Sequence, residues 1–383
     1  MSRTVAVIGG GYGGSAVAKA LDAEADVVLI EPRDAFVNAA GSLRALTRPD
    51  WAGNMFFPYD RLMARGTVVR DRAASADPDG VTLASGRRVE ADYLVLASGS
   101  SYVYPAKPEA DSTATALDDL RRTHKELAGA ERVLIAGAGP VGLELAGEIK
   151  EVWPGKRVTV VDPVERLLPG FHPELRRDLR RQLDELDVRL LLGTRVAAPA
   201  AMPPSGRAGT FTVTTTGGEE ITADIWFRAH GVRVNSEYLA DGRLTARTSQ
   251  GEVPVSKTLN VRGHDHVYAI GDLTDVPEAK RAGHAMKHAE VVAENILAQL
   301  RGERAPAVYR PSPEPMILLP LGPRGGVGQM PMEDGPSSSP HPPPSNGRAP
   351  LDGPVVLPAP AVAEYKGADL FTARFAELFG TTA

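Results

Sequence analysis

The chain has 383 residues, 43% apolar and 24% charged, a composition typical of a globular protein long enough for two or three domains. Its net charge of -5 gives no general attraction for phosphate polymers, which argues against a nucleic-acid partner. With 0 cysteines, it is excluded from redox-disulphide, thiolate-nucleophile, zinc-thiolate and iron-sulphur chemistry.

The first feature in chain order is a strand-helix-strand pattern. Residues 4–8 are a β-branched apolar run, which predicts a strand of a parallel sheet. A glycine motif, a stretch with helical spacing, a second apolar run and an acid follow: Gly9-x-Gly11-x-x-Gly14 and Glu31. Such glycines let a pyrophosphate approach the backbone, and the acid accepts hydrogen bonds from a ribose. The pattern predicts a dinucleotide site, with a purely structural turn as the alternative.

The same pattern recurs in the middle of the chain. Residues 132–136 form the apolar run, and the glycines and acid that follow are Gly137, Gly139, Gly142 and Asp162. Two such motifs imply two bound dinucleotides. An acid at this position favours NADH, because a carboxylate would repel the 2′-phosphate of NADPH, although Arg166 nearby leaves NADPH open. The alternative for Asp162 is a turn residue before Pro163.

Two further strands are predicted between and after these motifs. One ends in Ala97-Ser98-Gly99, and the other ends in Gly271-Asp272. Each apolar run reads as a buried strand whose carboxyl end carries small or acidic residues. Considered alone, Asp272 could simply cap the helix that follows.

In this order, the four elements resemble the pyridine nucleotide-disulphide reductase superfamily, the flavoproteins with two dinucleotide-binding domains. The best-known members use a cysteine pair, which this chain lacks. Its pattern is similar to the thiol-free branch that contains apoptosis-inducing-factor-like and ferroptosis-suppressor proteins. The similar segments are DAFVNAAGSLRAL (34–46), GPVGLELAGEI (139–149), ILLPLGPRGGVGQMP (317–331) and KGADLF (366–371).

The resemblance implies an α/β fold with two Rossmann-like domains and a small C-terminal domain. The FAD domain is expected at 1–110 and 235–300, the NAD(P)H domain at 111–234, and the C-terminal region at 305–383. Within that last region, the proline-rich stretch 336–360 is expected to be mobile, because its composition buries little apolar surface.

The resemblance also implies which residues hold FAD and NAD(P)H. Arg44 would lie along the FAD pyrophosphate, and Asp272 would bind the ribityl and phosphate part. Solvated surface charges are the alternative for Arg44 and Lys280. The FAD-binding residues are expected to be Gly9, Gly11, Tyr12, Gly13, Gly14, Glu31, Pro32, Arg33, Arg44, Ala73, Ala97, Gly99, Gly271, Asp272 and Lys280. Those for the nicotinamide nucleotide are expected to be Gly137, Gly139, Gly142, Glu144 and Asp162.

The resemblance places Glu148 and Lys366 beside the flavin as the catalytic pair, orienting the ring and balancing its charge on reduction. Glu144 and Glu148 are four residues apart and share a helix face. A solvent-exposed helix face and a surface lysine are the alternative. Where the family often has histidine after phenylalanine, this chain has Asn38 two residues after Phe36, and an amide cannot deliver a proton.

Two remaining features concern metals and membranes. His284 and His288 are four apart, but without a third ligand nearby in sequence we expect no metal site. The final segment places Phe371, Phe375 and Phe379 on one helical stripe, which is expected to pack against the protein, with membrane contact as the alternative. No signal peptide or membrane span is recognisable, so the expected location is cytoplasmic, with peripheral membrane contact left open.

The leading functional hypothesis is an FAD-dependent NAD(P)H oxidoreductase that passes electrons through the flavin to a quinone-like small acceptor. The alternatives are a flavin-dependent enzyme acting on an aromatic or quinonoid metabolite, and a redox-sensing binding protein. The sequence does not distinguish a monomer from a homodimer.

Overall fold

The computed structural model describes residues 3–197, 202–312, 314–331 and 354–381. The chain divides into two compact units, each assembled from separated segments. The first comprises Met1–Arg121, Gly231–Pro311 and Phe371–Ala383, and the second comprises Arg122–His230 and Ser312–Leu370. The sequence places the domain boundaries near residues 110 and 234, and the units divide at 121/122 and 230/231.

A five-stranded parallel sheet forms the centre of the first unit. Its strands are β1 (Thr4–Ile8), β2 (Asp26–Ile30), β5 (Thr67–Val69), β9 (Tyr93–Leu96) and β19 (Val267–Ala269), in the order β19-β9-β1-β2-β5. Val5, Val7 and Val95 are each 0% exposed. The apolar runs are continuous rather than alternating, as expected where both faces of a parallel sheet are covered.

Helices connect and cover these strands. They are α1 (Tyr12–Leu21), α2 (Ser42–Thr47), α6 (Ala282–Leu300) and α8 (Thr372–Leu378). A further helix, α3 (Thr113–Gly129), contains the boundary at which the two units divide. A Cβ added at Gly13 in α1 would lie 2.9 Å from the carbonyl oxygen of Ala285 in α6. The two helices therefore pack backbone against backbone, which requires a residue without a side chain at this position.

Three small antiparallel sheets complete the first unit. The first pairs β3 (Ala35–Val37) with β4 (Phe56–Pro58), and the second pairs β10 (Ser100–Ser101) with β18 (Arg233–Val234). The third contains β6 (Ala73–Asp77), β7 (Gly80–Leu83) and β8 (Arg88–Glu90).

The second unit repeats the parallel arrangement. Its strands β11 (Arg132–Ala136), β12 (Arg157–Asp162), β13 (Val188–Leu192) and β17 (Ile225–Arg228) lie in the order β13-β12-β11-β17. The helices are α4 (Pro140–Val152) and α5 (Pro173–Glu185), and a separate antiparallel sheet contains β14 (Val196–Ala197), β15 (Phe211–Thr215) and β16 (Glu220–Ala223). The predicted α/β class with two Rossmann-like domains is therefore confirmed.

The C-terminal region contributes to both units. In the second unit, β20 (Ile317–Leu321), β21 (Gly325–Met330) and β22 (Val355–Leu357) form an antiparallel sheet, followed by α7 (Ala359–Val362) and a π-helical turn, Ala363–Gly367. A Cβ added at Gly147 of α4 would lie 2.6 Å from Leu321 Cα, so α4 packs closely on β20. Phe371 onwards belongs to the first unit.

The proline-rich stretch that the sequence predicts to be mobile covers residues 336–360. Residues 336–353 of it lie outside the described residues. Residues 354–360 are described, and they include β22 and the start of α7. Val356 pairs with Gln329 in the sheet, and Leu357 is 3% exposed. The apolar triplet between the prolines has enough strand propensity and burial to order this part of the chain.

The apolar stripe of the last helix lies within the core of the first unit. Phe375 and Phe379 are 2% and 0% exposed, and each has its ring centroid 4.9 Å from that of Phe36. These contacts favour the expected packing against the protein over the alternative of membrane insertion, because the phenylalanine side chains that would enter lipid are already covered. Within the described ranges, no helix is both long and apolar enough to span a membrane.

Candidate functional site

The first glycine motif forms the turn between β1 and α1. Gly9 has φ +105°, and a Cβ there would lie 2.5 Å from the carbonyl oxygen of Ala97, so glycine is required. A Cβ at Gly14 would collide with the carbonyl oxygen of Gly9. Gly11 differs, because its φ of -73° and ψ of -164° suit any residue and a Cβ would meet nothing within 4 Å. The packing leaves this glycine unexplained, whereas a pyrophosphate approaching the backbone explains it.

The second motif repeats this geometry between β11 and α4. Gly137 has φ +124°, and a Cβ there would lie 2.7 Å from the carbonyl oxygen of Ala229, while one at Gly142 would collide with Gly137 O. Gly139 has φ -73° and ψ 177°, and its Cβ would again meet nothing within 4 Å. Neither Gly11 nor Gly139 caps its helix with a side chain, so both helix N-termini fit a phosphate group.

The acid of each motif fixes its glycine turn. Glu31 accepts hydrogen bonds from Gly10 N at 2.7 Å and Arg33 N at 3.0 Å. Asp162 accepts from Ala138 N at 2.6 Å and Val164 N at 2.8 Å. Asp162 thus has the turn role that was its alternative interpretation. Because each carboxylate oxygen has a second lone pair, this role leaves capacity to accept ribose hydroxyls.

Asp272 lies in a compact polar cluster that the sequence analysis missed. Its Oδ2 accepts a hydrogen bond from Ser100 Oγ at 2.5 Å and lies 3.9 Å from Lys107 Nζ. Lys107 also donates to Ser100 O at 2.6 Å. Burial lowers the pKa of Lys107, an effect that the negative charge of Asp272 opposes. Ser100 directly follows the Ala97-Ser98-Gly99 strand end, so its position in the sequence indicates that it lies near the site. No local pattern indicates Lys107.

The strand ends that frame this cluster have the backbone shapes expected of them. Gly99 and Gly271 have φ +62° and +66°, values that favour glycine. Ala97 N donates to Ile8 O at 2.8 Å, so the strand end stays paired beside the first glycine motif. These residues and Asp272 therefore lie at the carboxyl edge of one parallel sheet, the usual location of ligands in such folds.

Three other predicted FAD contacts are Arg33, Pro32 and Ala73. Arg33 donates to Pro108 O at 3.0 Å, while its buried Nε has no hydrogen-bond partner among the described residues. Pro32, next to it, is half-buried. Ala73 begins β6 and is half-buried against the core. An orphaned guanidinium nitrogen beside the first motif fits an anionic or hydroxyl ligand group.

Arg44 and Lys280 are engaged rather than free in solvent. Arg44 is 3% exposed and lies with its guanidinium carbon 5.7 Å from the centre of the Trp51 ring. Lys280 forms an ion pair with Glu252 at 2.8 Å and donates to Thr274 O at 2.5 Å. The surface-charge alternative therefore fails for both, although their predicted contacts with FAD stay predictions.

Two tyrosines support the first motif. Tyr12 OH donates to Asn38 Oδ1 at 2.9 Å, and Asn38 is 0% exposed. Tyr59, which the sequence analysis missed, donates from its hydroxyl to Gly10 O at 2.8 Å. Burial, and then the charge of Glu31, raise the pKa of Tyr59 well above its usual value. Tyr59 is therefore a neutral donor that holds the glycine turn.

In the second unit, Lys366 forms its ion pair with Glu144. Lys366 Nζ lies 2.9 Å from Glu144 Oε1 and 3.0 Å from Leu318 O. The pairing expected from sequence was with Glu148, one helical turn later. At Gly147, α4 packs closely on β20. This packing places the turn of α4 that carries Glu144 beside Lys366. Both partners have side chains 14% exposed, so the surface-lysine alternative is wrong.

Glu148 is still more deeply placed, at 4% exposed. The helix face that carries the two glutamates is therefore covered rather than solvated. This burial rules out the solvent-exposed helix face as the explanation of Glu148. Its predicted role beside the flavin stays a prediction.

No metal centre emerges in the described part of the chain, where no three His, Asp or Glu residues are arranged to hold an ion. The histidine pair on α6 has a different environment. His288 is 0% exposed and accepts a hydrogen bond at Nδ1 from Gly271 N at 3.0 Å.

Each of the two units has a parallel sheet, a glycine turn, an uncapped helix N-terminus and an acid at the second strand. Together these features define a two-dinucleotide-binding flavoprotein reductase. Residues 3–289 match the family model described as pyridine nucleotide-disulphide oxidoreductase. The chain belongs to this family of FAD-dependent NAD(P)H oxidoreductases, whose members bind FAD and NAD(P)H. It lies among the relatives of apoptosis-inducing-factor homologues and ferroptosis suppressors.

The similarity to those relatives spans most of both chains. Ferroptosis suppressor protein 1 from Taeniopygia guttata is 32% identical over 335 residues, which cover 86% of this chain and 89% of the relative. Apoptosis-inducing factor homolog B from Dictyostelium discoideum is 29% identical over 346 residues, with 86% and 89% covered.

Solved structures share the fold at lower identity. The sulfide:quinone oxidoreductase from Aquifex aeolicus has a TM-score of 0.76 at 18% identity, with 99% of this chain and 91% of that chain covered. The NAD-dependent persulfide reductase from A. fulgidus has a TM-score of 0.67 at 21% identity, and 64% of its length is spanned.

Proposed function

We propose that this protein is an NAD(P)H:quinone-type oxidoreductase that holds FAD in the first unit and NAD(P)H in the second. The observation that carries the proposal is the pair of glycines at 11 and 139, which no contact with the described residues requires. Each stands at the N-terminus of a helix beside an acid that faces the same turn. When bound, FAD accepts the equivalent of a hydride from the nicotinamide and gives two electrons to the acceptor.

In the first unit, the residues around Asp272 would orient FAD. The carboxylate accepts from Ser100 and can accept further hydrogen bonds from ribityl hydroxyls. Lys107 supplies a positive charge 3.9 Å from this carboxylate, which would offset phosphate charge. Arg33 and Arg44 are the further cations that we assign to the pyrophosphate.

In the second unit, α4 would present Glu144 and Glu148 to the reacting rings. Lys366 neutralises Glu144, which prevents two carboxylates on one helix face from repelling each other. We assign Glu148 and Lys366 to the orientation of the flavin and to balancing its charge during reduction. Asn38 cannot titrate, so we assign proton delivery to the acceptor to water.

The acceptor is proposed to take electrons directly from the flavin. With 0 cysteines, the chain has no disulphide to act as a relay. A small quinone is the acceptor class that we favour, because the sequence resembles the branch of the superfamily whose flavin passes electrons on without a cysteine pair. NADH plus a proton and a quinone would give NAD⁺ and a quinol, a balanced two-electron transfer.

Anaerobic stopped-flow spectroscopy tests this function. Purified protein is mixed with NADH or NADPH, and the flavin absorbance is followed; the reduced protein is then mixed with a series of quinones, with ferricyanide or with oxygenated buffer. We expect rapid bleaching by NADH and fast reoxidation by at least some quinones. Reoxidation by ferricyanide alone would argue against a quinone as the acceptor.

We expect Asp162→Asn to weaken the preference for NADH. The amide still offers an oxygen to Ala138 N, but it removes the charge that would repel a 2′-phosphate. The ratio of kcat/KM for NADH to that for NADPH should fall about tenfold. Asp187→Asn, the same charge change at a side chain that is 94% exposed, is the control. An unchanged ratio in Asp162→Asn would remove this residue from coenzyme selection.

We expect Lys366→Met to slow the reduction of the flavin by NADH about tenfold or more. It leaves Glu144 without its cation in a largely buried position. Lys366→Arg should recover much of the rate, because it restores the positive charge. Lys125→Met, at an exposed position on α3, is the control. The measurement is the stopped-flow rate of flavin reduction at saturating NADH. A wild-type rate in Lys366→Met would exclude a role of Lys366 in flavin reduction.

A further inference from the structure

A buried chain of hydrogen-bonding groups contacts the turn that carries Asp272. It consists of Tyr309, Glu278 and His288, with the backbone N–H of Gly271 at its end. Tyr309 OH donates to Glu278 Oε2 at 2.7 Å. His288 Nε2 lies 3.0 Å from Glu278 Oε1, and Nδ1 accepts from Gly271 N at 3.0 Å.

The hydrogen bond from Gly271 determines which nitrogen of the His288 imidazole carries the hydrogen. A ring nitrogen that accepts an N–H carries no proton, so the hydrogen of neutral His288 is on Nε2. Nε2 points toward the Glu278 carboxylate but is not aligned for a straight hydrogen bond, and it has no other partner among the described residues. Glu278 is thus the group that selects this tautomer, and Tyr309 orients Glu278. Burial raises the pKa of Glu278, but the Tyr309 hydroxyl and the facing His288 imidazole outweigh this effect, so the pKa lies below its usual value.

The Gly271 N–H needs such an acceptor. It lies at the end of β19, where the chain leaves the parallel sheet with φ +66° and begins a 3-10 turn. The carbonyl of Gly271 is satisfied by Thr274 N and Thr274 Oγ1 at 3.1 and 3.0 Å. The N–H faces His288 instead, and leaving it unpaired would make this conformation of the turn unfavourable.

His288 is well placed to hold the turn because its own position is rigid. It is 0% exposed on α6, the helix that packs backbone to backbone on α1 at Gly13. The edge of its ring lies against Tyr309, with the two centroids 4.1 Å apart. The group that accepts the Gly271 N–H is therefore fixed relative to the helix beginning at the first glycine motif.

We propose that His288 is a positioning residue for FAD: it accepts the Gly271 N–H and so holds the turn that presents the Asp272 carboxylate to the cofactor, with Glu278 and Tyr309 fixing its tautomer. The inference rests on the proposed assignment of Asp272 to the FAD site. Neither the sequence pattern nor the spacing of His284 and His288 indicates it, since Glu278 and Tyr309 lie outside the helix that carries His288, one before it and one after it.

Two substitutions test the roles of the two ring nitrogens of His288 independently. The amide oxygen of His288→Asn occupies the place of Nδ1 and can accept the Gly271 N–H, whereas His288→Gln places its amide near Nε2 and cannot. We expect the Kd of the apoprotein for FAD to rise about tenfold or more in His288→Gln and to stay within about threefold of wild type in His288→Asn. The Kd is measured by flavin fluorescence, together with thermal unfolding of each apoprotein. His264→Gln, at a histidine that contacts Leu244 O, is the control.

The pattern of FAD affinities decides between the outcomes. Equal affinities in the asparagine and glutamine variants, whether both weak or both normal, would overturn the positioning role. If either variant does not fold, Glu278→Gln and Tyr309→Phe leave His288 in place, and both should weaken FAD binding; unchanged affinity in both contradicts the proposal. A wild-type chain that does not bind FAD refutes the proposed function itself, whereas normal wild-type binding with unaffected variants refutes only this inference.

Discussion

Gly139→Val is expected to abolish reduction by NADH while leaving FAD bound and the fold intact. Valine tolerates a φ of -73° and a ψ of 177°, and its Cβ would lie more than 4 Å from any neighbouring atom in the described part of the chain. Its methyl groups would instead occupy the space where a pyrophosphate approaches the N-terminus of α4. Because several charge-assisted hydrogen bonds to the phosphates are lost together, the Kd for NADH should rise about 100-fold or more.

The measurement is the dependence of the flavin reduction rate on NADH concentration. Gly155→Val is a matched control, because Gly155 is exposed in the same unit and its Cβ also meets nothing within 4 Å. We expect Gly155→Val to be reduced like wild type. Normal reduction of Gly139→Val by NADH would show that no dinucleotide lies against this glycine.

Gly11→Val is expected to have the reciprocal effect on the flavin. Its backbone also suits valine, and the space beside its Cβ is empty of protein atoms. The side chain would displace the FAD pyrophosphate from the N-terminus of α1, so the purified protein should be nearly colourless and bind added FAD about 100-fold more weakly or worse. Valine is also a poorer N-cap than glycine, a loss of about 1 kcal/mol that is too small to unfold the unit.

Absorbance at the flavin band and FAD titration of the apoprotein measure this effect. Gly53→Val, at an exposed glycine of the first unit with equally open surroundings, should keep its FAD. Binding of NADH to the second unit of Gly11→Val should persist, as followed by nicotinamide fluorescence. Full flavin content in Gly11→Val would be incompatible with FAD in the first glycine motif.

Local sequence patterns were sufficient to predict the two nucleotide motifs. The run 4–8 became β1 and the run 132–136 became β11, because strands buried on both faces leave an unbroken apolar signature. The strained glycines were also readable, since a tight turn between strand and helix admits few other residues. The acids Glu31 and Asp162 lie where the spacing placed them, although their hydrogen bonds to the glycine turns were visible only in the structure.

Contacts between distant segments could not be predicted in the same way. Helical spacing places Glu144 and Glu148 on one face, but it cannot say which of them meets Lys366, a residue more than 200 positions away. The same limitation applies to Lys107 beside Asp272. Such pairings depend on how turns and helices pack, which the period of a single element does not encode.

The most direct test of the account is an anaerobic titration of the purified protein with NADH, after its FAD content has been measured. Two separate nucleotide sites predict a single FAD per chain, whose absorbance is bleached by a stoichiometric amount of NADH. A chain that takes up no FAD on reconstitution, or a bound FAD that both NADH and NADPH leave oxidised, would contradict the account.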